Sequence, residues 1–359
     1  MERYFFAGGN TPNGFFSYFN NVIDYKRNGR LVILKGGPGV GKSTFIRAVG
    51  EKLKSKGKNA EYFYCSGDPE SLDGVCCKED NFAVIDGTSP HMIDPVYPGI
   101  TDSIVNLGEF LDGNKLVNYL ERAKKLLKDK AYCFENAYKY LNAAGALEKI
   151  EYDTYQNNMN FKALEDKCRE FTENFYNLNK KGGHRRLFLS AVTPDGMIDK
   201  TPETFLKDGE NQKNHAQLLK ISCYSNAELN FFLTRLNFTL NNLGYDTECF
   251  YNPMRPLEIM SLYIVNNDMF LFGEFSEEQI YENKNYKVIN LTGCVSRKDF
   301  QNFLNSFSQN KKLTLNLIGL AAKQMDKARG LHKKVEEFYF DAMNFNGLER
   351  FRNEFIEKL

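Results

Sequence analysis

Residues 31–46 read LVILKGGPGVGKSTFI, residues 218–233 read LLKISCYSNAELNFFL, and the two stretches align without a gap 187 positions apart. The spacing holds from 31 to 87, setting Leu31 on Leu218, Phe45 on Phe232, Leu53 on Leu240 and Gly57 on Gly244. A second ungapped block, 103–175, recurs 184 positions later and sets Asn106-Leu107 on Asn290-Leu291 and Met159-Asn160-Phe161 on Met343-Asn344-Phe345. A short block at a spacing of 182 sets Thr11-Pro12-Asn13-Gly14 on Thr193-Pro194-Asp195-Gly196. Three blocks in chain order mean one duplication followed by small insertions and deletions, so both halves are bound to one fold. The seam falls in NLNKKGGHRR, 177–186, whose lysine and glycine run reads as a linker. The halves are therefore 1–180, with a helical part at about 113–178, and 184–359, with a helical part at about 297–359.

Each half follows one plan. A short strand (Tyr4–Ala7; Leu187–Leu189) enters the Thr-Pro-Asn/Asp-Gly turn, where Pro pre-sets φ and Gly accepts a positive φ. In the first half a short helix is expected over Phe15–Ile23 and a buried strand over Leu31–Lys35. A helix with Phe45, Val49 and Leu53 on one stripe follows. Further strands are expected at Ala60–Cys65, Phe82–Asp86 and Ile104–Leu107. Strands alternating with helices predict a parallel sheet covered on both faces. The stretch after 113 is nearly free of Pro and Gly, with Leu116, Leu120, Ala123 and Leu127 on one stripe, and predicts a helical hairpin.

Between the strand and the helix lies Gly36-Gly37-Pro38-Gly39-Val40-Gly41-Lys42-Ser43, which fits GxxxxGK(S/T), the P-loop pattern. Glycines let successive backbone N–H groups turn inward on a phosphate chain, and the helix points its positive end there. Lys42 is expected to reach the β- and γ-phosphates, Ser43 to ligate Mg²⁺, and Thr44 to continue the cradle. The stretch NFAVIDG, apolar residues ending in Asp86, has the Walker B pattern and makes Asp86 the expected carboxylate for Mg²⁺. Gly87 follows, where many hydrolytic ATPases carry a glutamate that orients the attacking water. Substitutes are sought in two loops: Asp68, Glu70 and Asp73 in CSGDPESLDG, and Thr88, Ser89 and His91 in GTSPHMIDPVYPG. A guanine-specifying NKxD is absent, NKNY at 283–286 failing at the Asp, which favours ATP.

The second half is an internal control. Gly36 faces Cys223, Gly39 faces Asn226, Gly41 faces Glu228, Lys42 faces Leu229 and Ser43 faces Asn230. Asp68 faces Arg255, Asp73 faces Met260 and Asp86 faces Gly273. What is lost is polar or glycine; what is kept is apolar. The second half is thus a P-loop-like domain that cannot cradle a triphosphate, since side chains at 223 and 226 block approach and Glu228 repels it. Their joint loss groups Lys42, Asp68, Asp73 and Asp86 into one site.

Composition excludes several classes. The net charge of +1 recruits neither nucleic acid nor an anionic membrane. The 8 cysteines include no CxxC pair and only 4 histidines accompany them, which speaks against zinc and for free thiols in the cytoplasm. MERYFFAGGNTPNG has too short an apolar stretch for a signal peptide.

With FFAGGNTPNGF, ILKGGPGVGKST, CSGDPESLDG, IDGTSPHMIDPVYPG, NLGEF and RRLFLSAVTPDG in hand, the chain resembles, over nearly its whole length, a family of uncharacterised bacterial tandem P-loop ATP-binding proteins, labelled ATPase or nucleotide-kinase-like. The resemblance implies an α/β fold of two P-loop domains that binds ATP and Mg²⁺. Such proteins usually carry a second GxPGxGKST, and this sequence has none. Three readings stay open: slow or regulated ATP hydrolysis, transfer to a small molecule or nucleotide, and a non-catalytic ATP sensor. Arg255, or else Arg297, of the second half is a candidate to face the nucleotide of the first, against a plain reading of each as a surface arginine.

Overall fold

The computed structural model describes residues 2–25, 29–178, 182–205, 216–275 and 287–359. In chain order the first half gives β1 (Glu2–Phe5), β2 (Gly8–Thr11), β3 (Gly14–Ser17), β4 (Arg30–Lys35), α1 (Lys42–Ser55), β5 (Ala60–Tyr64), β6 (Leu72–Cys77), β7 (Phe82–Asp86) and β8 (Asp102–Asn106). Helices α2 (Gly113–Val117), α3 (Leu120–Asn157) and α4 (Phe161–Thr172) close it. The second half gives β9 (Arg185–Leu189), β10 (Ala191–Thr193), β11 (Gly196–Ile198), α5 (Thr201–Phe205), β12 (Gln217–Cys223), α6 (Asn226–Asn242), β13 (Thr247–Asn252), β14 (Arg255–Ile264), β15 (Met269–Phe275) and β16 (Lys287–Asn290). It ends in α7 (Leu304–Ala342) and α8 (Phe345–Glu357). NKNY at 283–286 lies outside the described residues.

The protein is mixed α/β with three sheets. One six-stranded sheet runs β1-β5-β6-β7-β4-β8, and a second runs β9-β13-β14-β15-β12-β16. Matched strand for strand, the two have the same order and the same directions. Both are parallel except for one strand, β6 or β14, inserted antiparallel. This corrects the expected all-parallel sheet, since β6 is a strand where a loop was expected. Its sequence, LDGVCC, carries an acid and a glycine that read as a turn, yet every residue of it is buried. Burial on both faces suits the apolar run of β4, where Val32, Ile33 and Leu34 are fully buried.

The third sheet, β11-β10-β2-β3, is antiparallel throughout. It replaces the helix expected over Phe15–Ile23, of which only a 3-10 turn at Phe19–Asn21 is helical. The Thr-Pro-Asn/Asp-Gly turn closes a hairpin in each half. Thr11 donates to the Gly14 carbonyl at 2.7 Å and Thr193 to that of Gly196 at 2.9 Å, with φ of 102° and 104° at the two glycines. Positive φ costs glycine little, so a two-residue loop suffices and the following Phe pair continues as a strand.

Two compact units emerge, and neither is a chain half. Unit 1 comprises 1–140, 190–207 and 319–359, and unit 2 comprises 141–189 and 208–318. The reason is the helices after each six-stranded sheet. In unit 1, α8 packs on α1: the Phe45 ring lies 6.3 Å from that of Phe351 and 5.1 Å from that of Phe355, and Leu348 joins the same core. In unit 2, α4 meets α6, with the Phe161 and Phe231 rings 5.2 Å apart. So the last helix of each half packs on α1 or α6, the long helix between the sheet strands of the other half. Among the described residues no helix is long and apolar enough to cross a membrane.

The repeated Met-Asn-Phe is the corner before those last helices. Asn160 caps α4, accepting from Ala163 N–H at 3.0 Å, and Asn344 caps α8, accepting from Gly347 N–H at 3.0 Å. Replacing either Asn by Ala removes the acceptor and is expected to cost about 1 kcal/mol, whereas Ser or Asp retains most of the stability. Thermal denaturation checks this, with each Ala variant melting about 2–4 °C below wild type and the Asp variants near it.

Candidate functional site

The turn from β4 into α1 is built from glycines held in conformations that other residues resist. Gly39 and Gly41 have φ of 69° and 87°, and Gly41 is the N-cap of α1. Val40 turns the other way, fully buried in the core of unit 1. Gly37 is covered by Tyr339 of α7, so that a Cβ there would lie 2.2 Å from its ring. The loop and the first turn of α1, from Pro38 to Thr44, line a common space.

Lys42 lies across that opening. Its ammonium donates to the carbonyls of Gly36 and Gly37 at 3.1 and 2.8 Å and stands 3.7 Å from Asp86. A cation at a helix N-terminus opposes the helix dipole, and here the two are held together with little solvent. Ser43 Oγ accepts from Leu72 N–H at 2.9 Å. Thr44 is exposed at the rim.

Asp86 ends β7 beside β4, in register with Leu34. Its Oδ1 accepts from the Thr88 N–H and hydroxyl at 2.9 and 2.6 Å. Asp73 precedes Gly74 on β6, the strand antiparallel to β7, and brings a carboxylate oxygen within 4.8 Å of one of Asp86. Two buried carboxylates this close repel one another. The second counterion is His91, whose Nε2 stands 3.2 Å from Asp73 Oδ2. Burial works against a charged imidazole, but Asp73 and then Asp86 outweigh it and push His91 up to about 9. Asp73, Asp86 and His91 bring one ligand atom each within 4.8 Å of one another.

Of the remaining loop residues, Asp68 lines the same space. Its Oδ2 accepts from the Ser71 hydroxyl at 3.0 Å, and its buried Oδ1 has no hydrogen-bond partner among the described residues. Ser89 lies exposed at the edge of the space. Glu70 does not belong to it: its side chain is exposed, and only its carbonyl is engaged, by Arg47. The space is a cavity of about 1090 Å³, roofed by α3 and α7 with Lys130, Phe134, Arg329, His332 and Glu336. Those residues escaped the sequence reading. Arg255 and Arg297, the candidates from the second half, lie in unit 2. Arg255 bonds the Glu148 carbonyl at 2.8 Å and stacks on Tyr152, and Arg297 stacks on Tyr224.

The matching turn of unit 2 is closed by its own side chains. Glu228, opposite Gly41, accepts from Tyr224 and Ser225 N–H at 2.8 and 2.9 Å, within a capping box to Ser225. Its carboxylate fills the loop from inside, so the repulsion expected of Glu228 is joined by occupation. Leu229, opposite Lys42, packs on Gly273, opposite Asp86, where a Cβ would lie 2.4 Å from the Leu229 side chain. Asn230 accepts from Ile259 N–H at 3.0 Å, repeating the Ser43–Leu72 contact. That contact is therefore structural in both units.

Burial raises Glu228 to about 7, above the ordinary 4.5, with the backbone N–H groups pulling back only in part. The unfolded chain thus gives up this proton first, and stability falls as pH rises from about 4.5 to about 7, by on the order of 3 kcal/mol. Glu228→Gln keeps an acceptor for the cap and removes the titration. Its melting temperature is expected to exceed that of wild type at pH 8, with the difference closing toward pH 4.5; equal curves at both ends refute the assignment.

A family model described as "Nephrocystin 3, N-terminal" matches residues 16–76, the stretch from β3 through β6. No curated protein and no solved structure matches the chain.

Proposed function

We propose that unit 1 is a Mg-ATP-binding P-loop NTPase site, within a duplicated P-loop fold whose second copy has lost its loop chemistry. The observation that carries this is Lys42, enclosed at the N-terminus of α1 by loop carbonyls and 3.7 Å from Asp86. Lysine, loop amides and helix end all favour an anion at one point, the arrangement that suits a β–γ phosphate chain. The like strand orders of the two six-stranded sheets support the duplicated fold.

Ser43, Asp86 and Asp73 offer hard oxygen donors, which fit Mg²⁺. When bound, Mg²⁺ would neutralise charge on the phosphates; Ser43 and Asp86 are the residues to hold it. With Lys42 at the γ end of the chain, Thr44 marks the α end. Beyond Thr44 lies a cleft of about 220 Å³ lined by Phe345, Leu348 and Arg352, suited to the base. The large cavity then remains for the γ-phosphate and whatever attacks it.

In the reaction, the bond from the γ-phosphorus to the β–γ bridging oxygen breaks, and that oxygen leaves with the electron pair on ADP. A bond forms from the γ-phosphorus to the oxygen of water or of an acceptor hydroxyl, whose proton passes to a carboxylate. Asp68 suits this role better than Asp73, since Asp73 is committed to His91 while Asp68 Oδ1 is unpartnered. Hydrolysis is the first reading. Transfer to a small molecule is the second, favoured by the roofed cavity beside Asp68.

Titration calorimetry is expected to give one ATP per chain. Lys42→Ala abolishes binding, and Leu229→Met, a volume-conserving change in unit 2, leaves it intact. A stoichiometry of two refutes the single-site reading. Asp86→Asn is expected to weaken ATP by about tenfold or more in Mg²⁺, roughly 1.4 kcal/mol, and to change little in EDTA. Equal loss in both buffers makes Asp86 a structural residue instead.

A further inference from the structure

Resting on the nucleotide reading above, a second site stands in the same cavity. The roof is graded along α7. Tyr339 and Glu336 lie against Gly37 and Gly39 of the loop, His332 is one turn back, and Arg329 is two. At the helical rise, Glu336 to Arg329 spans about 10 Å. Arg329 is committed to Asp326 at 2.6 Å and Asp195 at 3.2 Å. From α3, Lys130, Phe134 and Tyr138 line the same roof at four-residue spacing.

Lys130 has a partner that does not neutralise it. Its ammonium lies 2.9 Å from Nδ1 of His332, and no carboxylate is within ion-pair distance of it among the described residues. Burial, then Lys130, then Lys42 hold His332 down at about 4, so the imidazole is neutral and accepts at Nδ1. Its Nε2–H is then a donor. Burial also lowers Lys130. The Glu336 carboxylate works against that lowering. The His332 Nε2–H stands 3.8 Å from Glu336 Oε1, whereas the half-buried ammonium, in an open cavity, has no carboxylate of its own at ion-pair distance among the described residues. His332 stands one helical turn, about 6 Å along α7, beyond Glu336, which lies against Gly39 of the loop.

Unit 2 again serves as control. At the spacing of 184, Lys130 becomes Thr314, Tyr138 becomes Ala322 and His332 becomes Glu148. The cationic roof is lost where the loop is lost, although the helices remain. We propose that Lys130 and His332 form a second anion site, which binds the phosphate or carboxylate of a small-molecule acceptor while the nucleotide occupies the loop. An acceptor that fits carries its anion at the end opposite its reacting hydroxyl, with its body against Phe134 and Tyr138.

The test saturates the protein with Mg²⁺ and β,γ-imido-ATP, then titrates inorganic phosphate and, separately, acetate, following each by calorimetry. One anion per chain is expected to bind with the nucleotide in place, phosphate or acetate being the tighter according to the acceptor's group. Lys130→Met weakens that anion by about tenfold or more, the loss of one charge-assisted hydrogen bond. Lys130→Arg restores most of it, and all three proteins bind β,γ-imido-ATP alike. Loss of nucleotide affinity in Lys130→Met, or anion binding that is absent in wild type or unchanged in the variant, overturns the proposal. If wild type fails to bind β,γ-imido-ATP, the nucleotide reading falls by itself. Phosphate alone then decides: loss in Lys130→Met but not in Lys42→Ala supports the second site, and the reverse overturns it.

Discussion

Two buried carboxylates, Asp73 and Asp86, stand within 4.8 Å of one another on the neighbouring antiparallel strands β6 and β7, and the rest of the site is arranged to make that tolerable. Like charges this close destabilise a sheet, and burial removes the water that would screen them. Lys42 answers one and His91 the other, at 3.7 and 3.2 Å. Each cation comes from a different connection, Lys42 from the glycine turn and His91 from the loop after β7. The charges therefore tie both loops to the ends of the strands.

Unit 2 shows the same scaffold with that constraint removed. Met260 and Gly273 stand where the two acids were, and Leu229 closes on Gly273 where the lysine was. Once the acids are gone, a cation at the helix N-terminus has no counterion, and an apolar residue is the cheaper occupant. The amides of the loop still need an acceptor, and Glu228 supplies it internally. The roof changes in step: Glu148 replaces His332 and, with Glu258, faces Arg255, which replaces Asp68. The charges are exchanged as a set.

Much of this was legible in the residues and some was not, for physical reasons. The strands β4 and β7 and helix α1 announce themselves because an apolar run and a stripe at helical spacing each report burial directly. The glycine turn is legible because only glycine accepts its φ values. Asp86 is legible as the end of a buried strand. Strand β6 is not, since its buried Asp73 is satisfied by a histidine 18 positions away, and no local pattern can report a distant counterion. The hairpin at Pro12-Asn13 is legible as a turn but not as a strand pairing, because β2 and β3 have three glycines and little alternation. The roof residues were out of reach, being set by which sheet a helix packs on, and periodicity fixes only the face of a helix.

That packing also explains why the second half keeps its apolar pattern without its chemistry. The core around α1 includes Leu348, with Phe345, Phe351 and Phe355 against it, all from α8. The helix α6 is met by Phe161 from α4. Each half thus supplies helical cover for the unit built on the other half's sheet, so an apolar position lost from either one would open a cavity in a core that serves the site or its partner repeat, at about 2–5 kcal/mol for a buried Leu or Phe. Polar residues of the second loop carry no such cost. The asymmetry between the two turns follows from that difference: α8 packs into the core of unit 1, whereas Glu228 and Leu229 are engaged by the turn and sheet of unit 2 itself.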